Sequence, residues 1–272
     1  MHIKWEILKN YIKDTDKVLD LGAWSCPFRR ADIVIDYYGY EDRGKEGFCG
    51  PKEEKYNKDS WLVMDFINQK LPFKDKEIDF LNFTSTLEDV KDPISILNEI
   101  IRVAKAGYIE FPSRANEQSY NTQGKWKIWQ KFVGFYNHRW FVEYRPEENE
   151  FLFTPKYSVI HFFKELIIKS KLLDEVDLYL LENNEVNRVK AEDKAGFVGL
   201  LWRSDKINNV FKFKEISYLM IEDFRDNCLK FKANFDRLNK GQVRKLKKKT
   251  DKKLSLSLTK KVKYKILNIL KI

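Results

Sequence analysis

Short apolar runs that end in polar or acidic residues recur along the first half of the chain, and they constrain its fold more than any other feature. Each run is five or six residues long and rich in Val, Ile, Leu or Phe, which is typical of a buried strand. The predicted strands cover residues 17–22, 31–36, 61–65 and 78–83. Runs of this length are too short for helices, so the pattern predicts a sheet.

A helical pattern follows the fourth predicted strand. Asp92 can cap a helix whose first position suits Pro93, and apolar residues then recur every three or four positions up to Ala104. We expect Gly107 to end this helix and residues 107–111 to form a fifth strand. Strands that alternate with helices indicate a parallel sheet with helices on both faces. The predicted fold class is therefore α/β and Rossmann-like.

The remaining segments predict a longer list of elements. Helices are predicted over 3–13, 125–133, 156–170 and 215–239, and strands over 176–181 and 196–202. A β-hairpin is predicted around the turn sequence RPEENE, with its strands over 140–144 and 151–153.

Positive charge is concentrated at the C-terminal end. The 272 residues include 51 Lys and Arg against 41 Asp and Glu, a formal net charge of +10. Residues 240–272 hold 13 of the basic residues and one acid, or +12, which leaves 38 basic and 40 acidic residues, or −2, before them. We therefore expect a nearly neutral domain over 1–205, a helical extension over 206–239 and a basic tail over 240–272. Bulk charge does not select the partner of the first region.

Cysteine content and hydropathy favour a cytoplasmic protein. The three cysteines, Cys26, Cys49 and Cys228, are odd in number and lack C-x-x-C spacing, so we expect reduced thiols rather than a disulfide framework. The first residues carry charges every few positions, unlike a signal peptide. No stretch approaches the roughly 18 apolar residues that a membrane span needs. Any membrane contact is expected to be peripheral, at the inner face.

The ends of the predicted strands carry side chains suited to a nucleoside. In an open parallel sheet, ligands bind at the carboxyl ends of the strands. Gly22 permits close approach of a ligand, Asp36 can accept two hydrogen bonds from ribose hydroxyls, and Asp65 can accept one from an adenine amine. Each acid alone could instead cap a helix or a turn. Acids at successive strand ends favour an adenosine-containing ligand.

The order of these segments resembles that of class I S-adenosylmethionine-dependent methyltransferases of the small-molecule and glycan type. The matching segments are VLDLGA, ADIVIDYYG, LVMDF and LPFKDKEIDFLNFTSTLEDVKDPISILNEIIRVAKAGYIEFP. The resemblance covers residues 17–112. It implies S-adenosyl-L-methionine as cofactor and a seven-stranded sheet whose last two strands form an antiparallel edge.

The resemblance also implies which residues contact the cofactor. Asp20 and Gly22 are expected near its methionine part, Asp36 on its ribose, and Asp65 with the following Phe around its adenine. The full predicted cofactor-binding set is Asp20, Gly22, Ala23, Trp24, Asp36, Asp65, Phe66 and Thr84.

Trp24 departs from the family pattern, which usually has Gly at this position. S-adenosylmethionine has no pyrophosphate, so its turn needs a second glycine less strictly than a dinucleotide site does. An indole here could shield the sulfonium through a cation–π contact, or it could pack outward and touch nothing. A third hypothesis is a degenerate site that no longer binds cofactor, which the presence of Asp36 and Asp65 disfavours.

Transfer of the methyl group to a hydroxyl needs a base as well as alignment. The candidates are His138 in the segment NHRWF, Glu110 at the end of the fifth strand, and Asp89, which stands where the family usually has His. A lone His beside Trp is also commonly a packed structural residue. His2 and His161 have no nearby ligand partners in the sequence, so we predict no metal site.

The acceptor and partner predictions come from the subgroup resemblance of YIEFPSR and HRWF and from the tail. We expect O-methylation of a sugar or glycan intermediate, with residues 240–272 contacting an anionic membrane surface through lysines and a partly amphipathic end. The tail could instead be merely solvated. Two rival functions are an RNA methyltransferase that uses the tail, although nucleic acid is the less favoured partner, and an inactive binding protein on the same fold.

Overall fold

The computed structural model describes most of the chain up to residue 168 and shorter segments beyond it. The described ranges are 5–24, 26–44, 50–119, 133–168, 176–182, 185–191, 197–203, 212–215 and 221–238. The chain divides into two units, Met1–Arg225 and Asp226–Ile272. The helix predicted over 125–133 falls almost wholly outside the described residues, and the basic tail over 240–272 lies outside them.

Strands dominate the described secondary structure. The strands are β1 Val18–Leu21, β2 Ile33–Asp36, β3 Trp61–Val63, β4 Ile78–Thr84, β5 Ala104–Pro112, β6 Trp140–Arg145, β7 Glu150–Pro155, β8 Val176–Glu182, β9 Glu185–Ala191, β10 Phe197–Arg203 and β11 Lys212–Glu215. The α-helices are α1 Trp5–Leu8, α2 Pro93–Val103, α3 Arg114–Glu117 and α4 over 221–238. No helix among the described residues is long and apolar enough to cross a membrane.

The main sheet confirms the predicted α/β, mostly parallel class. Its order is β3-β2-β1-β4-β5-β10-β8-β9, and the first five strands in this order run parallel to one another. Strand β10 is antiparallel to β5, β8 is parallel to β10, and β9 is antiparallel to β8. The carboxyl ends of the first four strands therefore lie along one edge of the sheet.

The far end of this sheet differs from the seven-stranded expectation. The two strands predicted there are present as β8 and β10, and both run opposite to β5. The sheet has an eighth strand, β9, whose sequence EVNRVKA we did not predict as a strand. Val186 and Val189 are three positions apart, so they miss the period of two by which a half-buried strand is identified.

Apolar residues cover both faces of the sheet, although on the second face the helix in the described residues is only the four-residue α1. One cluster joins Leu97 and Ile100 of α2 to Ile109, Phe111 and further strand residues, and the opposite cluster joins Leu8 of α1 to Tyr108. Adjacent residues of β5 thus point to opposite faces, as the alternation of side chains along a strand requires.

Helix α2 begins as predicted but ends earlier. The Asp92 side chain accepts a hydrogen bond from the Ser95 amide at 3.0 Å, and Pro93 occupies the first turn. The helix ends at Val103 and β5 follows without a loop, so Gly107 lies inside β5 rather than after the helix. A Cβ at Gly107 would lie 2.5 Å from the Leu81 carbonyl oxygen, so close packing of β4 and β5 explains this glycine.

A second sheet contains the predicted hairpin. Strands β6 and β7 pair antiparallel, and β11 pairs parallel with β7. The helix predicted over 156–170 is wrong, because the described residues there form two 3₁₀ turns, Ser158–His161 and Lys164–Leu166. Several β-branched and aromatic residues in this segment lower its helix propensity. The helix predicted over 215–239 is found over 221–238, while residues 212–215 form β11.

Candidate functional site

A cavity of about 280 Å³ opens at the carboxyl ends of β1 to β4. This is near the lower end of the roughly 300–1,000 Å³ found for small-molecule sites. Seven of the eight predicted cofactor-binding residues line it, and Asp20 does not. The lining residues are Gly22, Ala23, Trp24, Cys26, Asp36, Tyr37, Tyr38, Met64, Asp65, Phe66, Ile67, Thr84, Ser85, Thr86 and Asp89.

Asp20 lies beneath the turn that follows β1. Its buried carboxylate accepts hydrogen bonds from the Phe28 amide and the Asn82 side chain, both at 2.7 Å. Burial raises the pKa of Asp20 to about 6, against the opposing effect of these two hydrogen bonds. Asp20 therefore has a structural role: its carboxylate connects the segment after β1 to Asn82 of β4.

Gly22 adopts a left-handed conformation with φ of 71°. A Cβ here would lie 2.8 Å from the Thr86 hydroxyl oxygen and 3.3 Å from the Phe66 ring. The Thr86 hydroxyl also donates a hydrogen bond to the Gly22 carbonyl at 3.3 Å. Glycine is required here by the backbone conformation and by the two side chains that follow β3 and β4, which leave no room for a Cβ.

Asp36 joins the β1 turn to the end of β2. One carboxylate oxygen accepts a hydrogen bond from the Trp24 amide at 2.9 Å, and the other accepts one from the Tyr38 amide at 2.8 Å. Burial raises the pKa of Asp36, while the backbone hydrogen bonds act in the opposite direction. The amides of Ala23 and Tyr37 act on this carboxylate as well, so backbone donors from both strand ends surround it.

Three exposed aromatic side chains surround this acid. The Trp24 side chain is 51% exposed, and its ring lies 5.2 Å from that of Tyr38. Tyr37 is 66% exposed and packs edge-on against Tyr38 at 5.6 Å. Trp24 thus packs with residues at the β2 end of the cavity. The sequence did not predict a role for the two tyrosines, although they directly follow Asp36.

The end of β3 contributes an acid and an apolar surface. Asp65 accepts hydrogen bonds from the Asn68 amide and side chain, at 3.3 and 2.8 Å, and the side-chain bond lowers its pKa. Phe66 is buried against the cavity, and Met64 and Ile67 complete an apolar wall that the sequence did not predict.

The end of β4 supplies the opposite side of the cavity. Ser85 has a φ of 53°, unusual for a residue other than glycine, and its amide donates to the Glu110 carbonyl at 2.9 Å. Strain of this kind is concentrated at functional sites.

Asp89 lines the cavity, and its carboxylate accepts a hydrogen bond from the Asn137 side chain at 3.0 Å. Burial raises the pKa of Asp89, while the charge of His138 lowers it.

A buried cluster of four ionisable residues lies next to Asp89. It contains Glu88, Glu117, His138 and Lys156, all with side chains less than 10% exposed. His138 Nδ1 and Lys156 Nζ each contact one oxygen of the Glu117 carboxylate. These contacts hold the pKa of Glu117 below its ordinary value, although burial alone would raise it. None of these four side chains lines the cavity.

Glu88 has a different environment from Glu117. Within the described part of the chain, neither of its carboxylate oxygens has a hydrogen-bond partner, and His138 Nε2 lies 3.8 Å from one of them. Burial raises the pKa of Glu88 well above its ordinary value, and the neighbouring carboxylates add to the effect. The environment of Glu88 therefore favours its neutral form, whereas the contacts of Glu117 favour its ionised form.

The remaining base candidate, Glu110, is buried away from the cavity lining. It accepts a hydrogen bond from the Tyr108 hydroxyl at 2.6 Å, and burial raises the pKa of that hydroxyl well above its ordinary value. The three predicted base candidates thus occupy different places: Asp89 at the cavity, His138 behind it and Glu110 on Tyr108.

Cys26 corrects the thiol prediction. It lines the cavity and is disulfide-bonded, so the expectation of three reduced thiols is wrong. An odd number of cysteines argues against a complete framework of pairs, but it does not exclude a single one. Cys228 is buried. Among the described residues, no group of three His, Cys, Asp or Glu side chains is placed to hold a metal ion.

Comparisons with known proteins point to methyltransferases. Residues 47–109 match the family model described as a methyltransferase domain. An uncharacterized methyltransferase of Schizosaccharomyces pombe is 28% identical over 113 residues, which cover 36% of this chain and 39% of that relative. The chain therefore matches well under half of the length of this curated relative.

Two solved structures are also similar to the chain. One is described as an S-adenosylmethionine-dependent methyltransferase, possible histamine N-methyltransferase, from Thermotoga maritima; it is 16% identical with a TM-score of 0.38, over 72% of this chain and 84% of that chain. The other, described as one of the S-adenosylmethionine-dependent methyltransferases, is from Methanosarcina mazei; it is 22% identical with a TM-score of 0.33, over 53% and 74%. The family match over residues 47–109 supports the predicted methyltransferase class.

Proposed function

We propose that this protein is an S-adenosylmethionine-dependent methyltransferase that methylates a hydroxyl group of a sugar or glycan intermediate. The observation that carries the methyltransferase class is the cavity, which collects seven predicted residues from four strand ends. The family match to residues 47–109 covers three of those seven positions, namely Asp65, Phe66 and Thr84. Sequence pattern, site geometry and family similarity thus support the same class.

The lining of the cavity suits S-adenosylmethionine along its length. Asp36 can accept from the ribose hydroxyls, and Met64, Phe66 and Ile67 offer an apolar surface for adenine beside Asp65. The residues at the β4 end, including Asp89, then face the part that contains sulfur. When bound, the cofactor supplies an activated methyl group on a sulfonium centre. The protein supplies the alignment of donor and acceptor.

Asp89 is our first candidate for the group that takes the acceptor proton. It lines the cavity, and an acid of raised pKa is a stronger base than an ordinary carboxylate. His138 is the second candidate, because contact of Nδ1 with Glu117 leaves Nε2 as the nitrogen that could accept a proton. Glu110 is third, since it already accepts from Tyr108.

The sugar or glycan acceptor is supported by the sequence resemblance alone. The second candidate function, methylation of RNA, is disfavoured by the net charge of −2 over residues 1–239. An inactive binding protein is the third candidate. It would keep cofactor affinity without transfer.

Two measurements test the proposed class. Calorimetry should detect binding of S-adenosylmethionine and S-adenosylhomocysteine but not NAD. Transfer of a labelled methyl group should then be followed on a panel of neutral, acidic and phosphorylated sugars, with RNA as the comparison. Labelled sugar supports the proposal; labelled RNA supports the second candidate; binding without any transfer supports the third. Failure of both cofactor forms to bind would overturn the proposal.

We also propose that residues 240–272 bind an anionic membrane surface, which fits an acceptor assembled there. The support is the +12 charge of this segment and its partly amphipathic end. Each lysine near an anionic bilayer contributes up to about 1 kcal/mol, and the attraction weakens as salt rises. The full chain should sediment with anionic vesicles and a chain ending at Asn239 should not. Absence of sedimentation at low salt, or preferential binding of RNA, contradicts this part.

A further inference from the structure

The two ends of the cavity carry acids at different strands. Asp36 ends β2 and Asp65 follows β3, while Asp89 follows β4 on the other side of β1. If Asp36 holds the ribose, the adenine lies toward β3, and the sulfur lies toward β4 and Asp89. The strand order β3-β2-β1-β4 puts the two parts of the ligand on opposite sides of Asp36, and the apolar side chains of Met64, Phe66 and Ile67 at the β3 end suit adenine.

The charge of the ligand at the β4 end changes during methyl transfer. S-adenosylmethionine carries a positive sulfonium, whereas S-adenosylhomocysteine carries a neutral thioether at the same atom. An anionic side chain at the β4 end therefore attracts the first more than the second, whereas an acid at the β3 end meets the same adenine in both.

We propose that Asp89 is a specificity-determining residue that makes the pocket prefer the sulfonium cofactor over its thioether product. The inference rests on the proposed function and adds to it a means of releasing the product. Once the methyl group leaves, the attraction between the carboxylate and the sulfur position is lost. The product is then held only by contacts that it shares with the cofactor.

The surroundings of Asp89 act on its charge in both directions. Burial and the nearby carboxylate of Glu117 favour the neutral acid, while His138, Arg139 and the Asn137 hydrogen bond favour the carboxylate. Glu88, the preceding residue, is buried, and no described residue hydrogen-bonds to its carboxyl group. The preference for the sulfonium should therefore exist only above the pKa of Asp89 and should disappear as the pH falls through it.

The test is calorimetric and does not need the acceptor. Dissociation constants for S-adenosylmethionine and S-adenosylhomocysteine are measured on the full chain and on Asp89→Asn, which keeps the shape of the side chain and removes its charge. We expect Asp89→Asn to weaken binding of the sulfonium form by about tenfold, or about 1.4 kcal/mol, and binding of the thioether by less than about twofold. In the unaltered protein, the ratio of the two constants should approach one at acidic pH.

Two further variants control the result. Asp65→Asn removes a lining carboxylate at the adenine end and should change both affinities equally. Asp89→Glu keeps the charge and should keep a preference for the sulfonium. Thermal unfolding of each variant checks that it is folded. Equal loss of both ligands in Asp89→Asn, or no loss of either, overturns the inference while leaving the proposed function intact. Failure of both ligands to bind the unaltered protein overturns the two together.

Discussion

The two ends of the cavity are assembled over different distances along the chain. At the β2 and β3 end, the Trp24 amide donates a hydrogen bond to Asp36, twelve residues along the chain. The Asn68 side chain donates one to Asp65, which is three residues away. At the β4 end, Asp89 binds Asn137 across 48 residues. Behind it, Lys156 reaches a carboxylate 39 residues away. The first end is a product of local turns, while the second depends on the rest of the fold.

Of the substitutions that test this difference, removal of the Glu117 side chain is expected to have the largest effect, a loss of folding stability. Glu117→Ala leaves Lys156 buried without its carboxylate, and loss of one partner from a buried ion pair costs about 3–5 kcal/mol. Urea unfolding should show this loss in the free energy of unfolding. Asp65→Ala, a change within a local turn at the other end, serves as the control and should leave the urea midpoint nearly unchanged. Equal effects of the two substitutions would remove the distinction between local and long-range ends.

Asp36→Ala should have the next largest effect, on affinity at the local end. It removes the proposed acceptor for the ribose hydroxyls and also leaves the amides of Trp24 and Tyr38 without this carboxylate. We expect calorimetry to show a loss of at least about tenfold for both S-adenosylmethionine and S-adenosylhomocysteine, or about 1.4 kcal/mol. Unchanged affinity would remove Asp36 from the cofactor site.

Glu88→Gln should change how the free energy of unfolding depends on pH, and this tests the electrostatics of the β4 end. The raised pKa of Glu88 means that the folded protein holds a proton there that the unfolded chain releases near pH 4.5. The contribution of Glu88 to stability is therefore complete below pH 4.5 and is lost as pH rises through its folded pKa. Glutamine carries no proton to lose, so the variant should keep more of its stability at alkaline pH. Parallel pH profiles of unfolding for the two proteins would contradict a neutral Glu88.

His138→Gln is expected to produce the smallest change, a shift in a titration midpoint. The charge of His138 lowers the pKa of Asp89, so its removal should raise that pKa. The preference for the sulfonium ligand should then fade at a higher pH than in the unaltered protein. His161→Gln is a matched control, because His161 accepts from the Val133 amide and is not among the groups that shift Asp89. The same midpoint in all three proteins would remove His138 from this role.

Features that depend on local sequence could be predicted, whereas features that depend on long-range contacts could not. The first five strands, the cap of α2 and Asp36 itself were predictable because their signals are local: apolar runs, a capping residue and an acid at a strand end. The cluster of Glu117 and Lys156 was not predictable, because each is an ordinary charged residue in its own segment, and only the fold brings Lys156 and His138 to Glu117. The helix predicted over 156–170 failed for a different reason. Its apolar spacing fits a helix, but its β-branched and aromatic residues lower its helix propensity, and its described residues form two 3₁₀ turns.

Main-chain hydrogen bonds attach the loop after β4 to the start of β6, and this has a consequence for how the sequence can evolve. The amides of Arg139 and Trp140 both donate to the Glu88 carbonyl, at 2.8 and 3.2 Å. Main-chain bonds of this kind are indifferent to which side chain occupies those positions. Substitutions at the exposed residue 139 can therefore accumulate, altering charge beside the cavity, while the loop stays attached to β6. Trp140 is less free to vary, because its indole also donates to the Val90 carbonyl at 2.9 Å. The chain thus combines a fixed main-chain attachment with a position at which the charge beside the cavity can change.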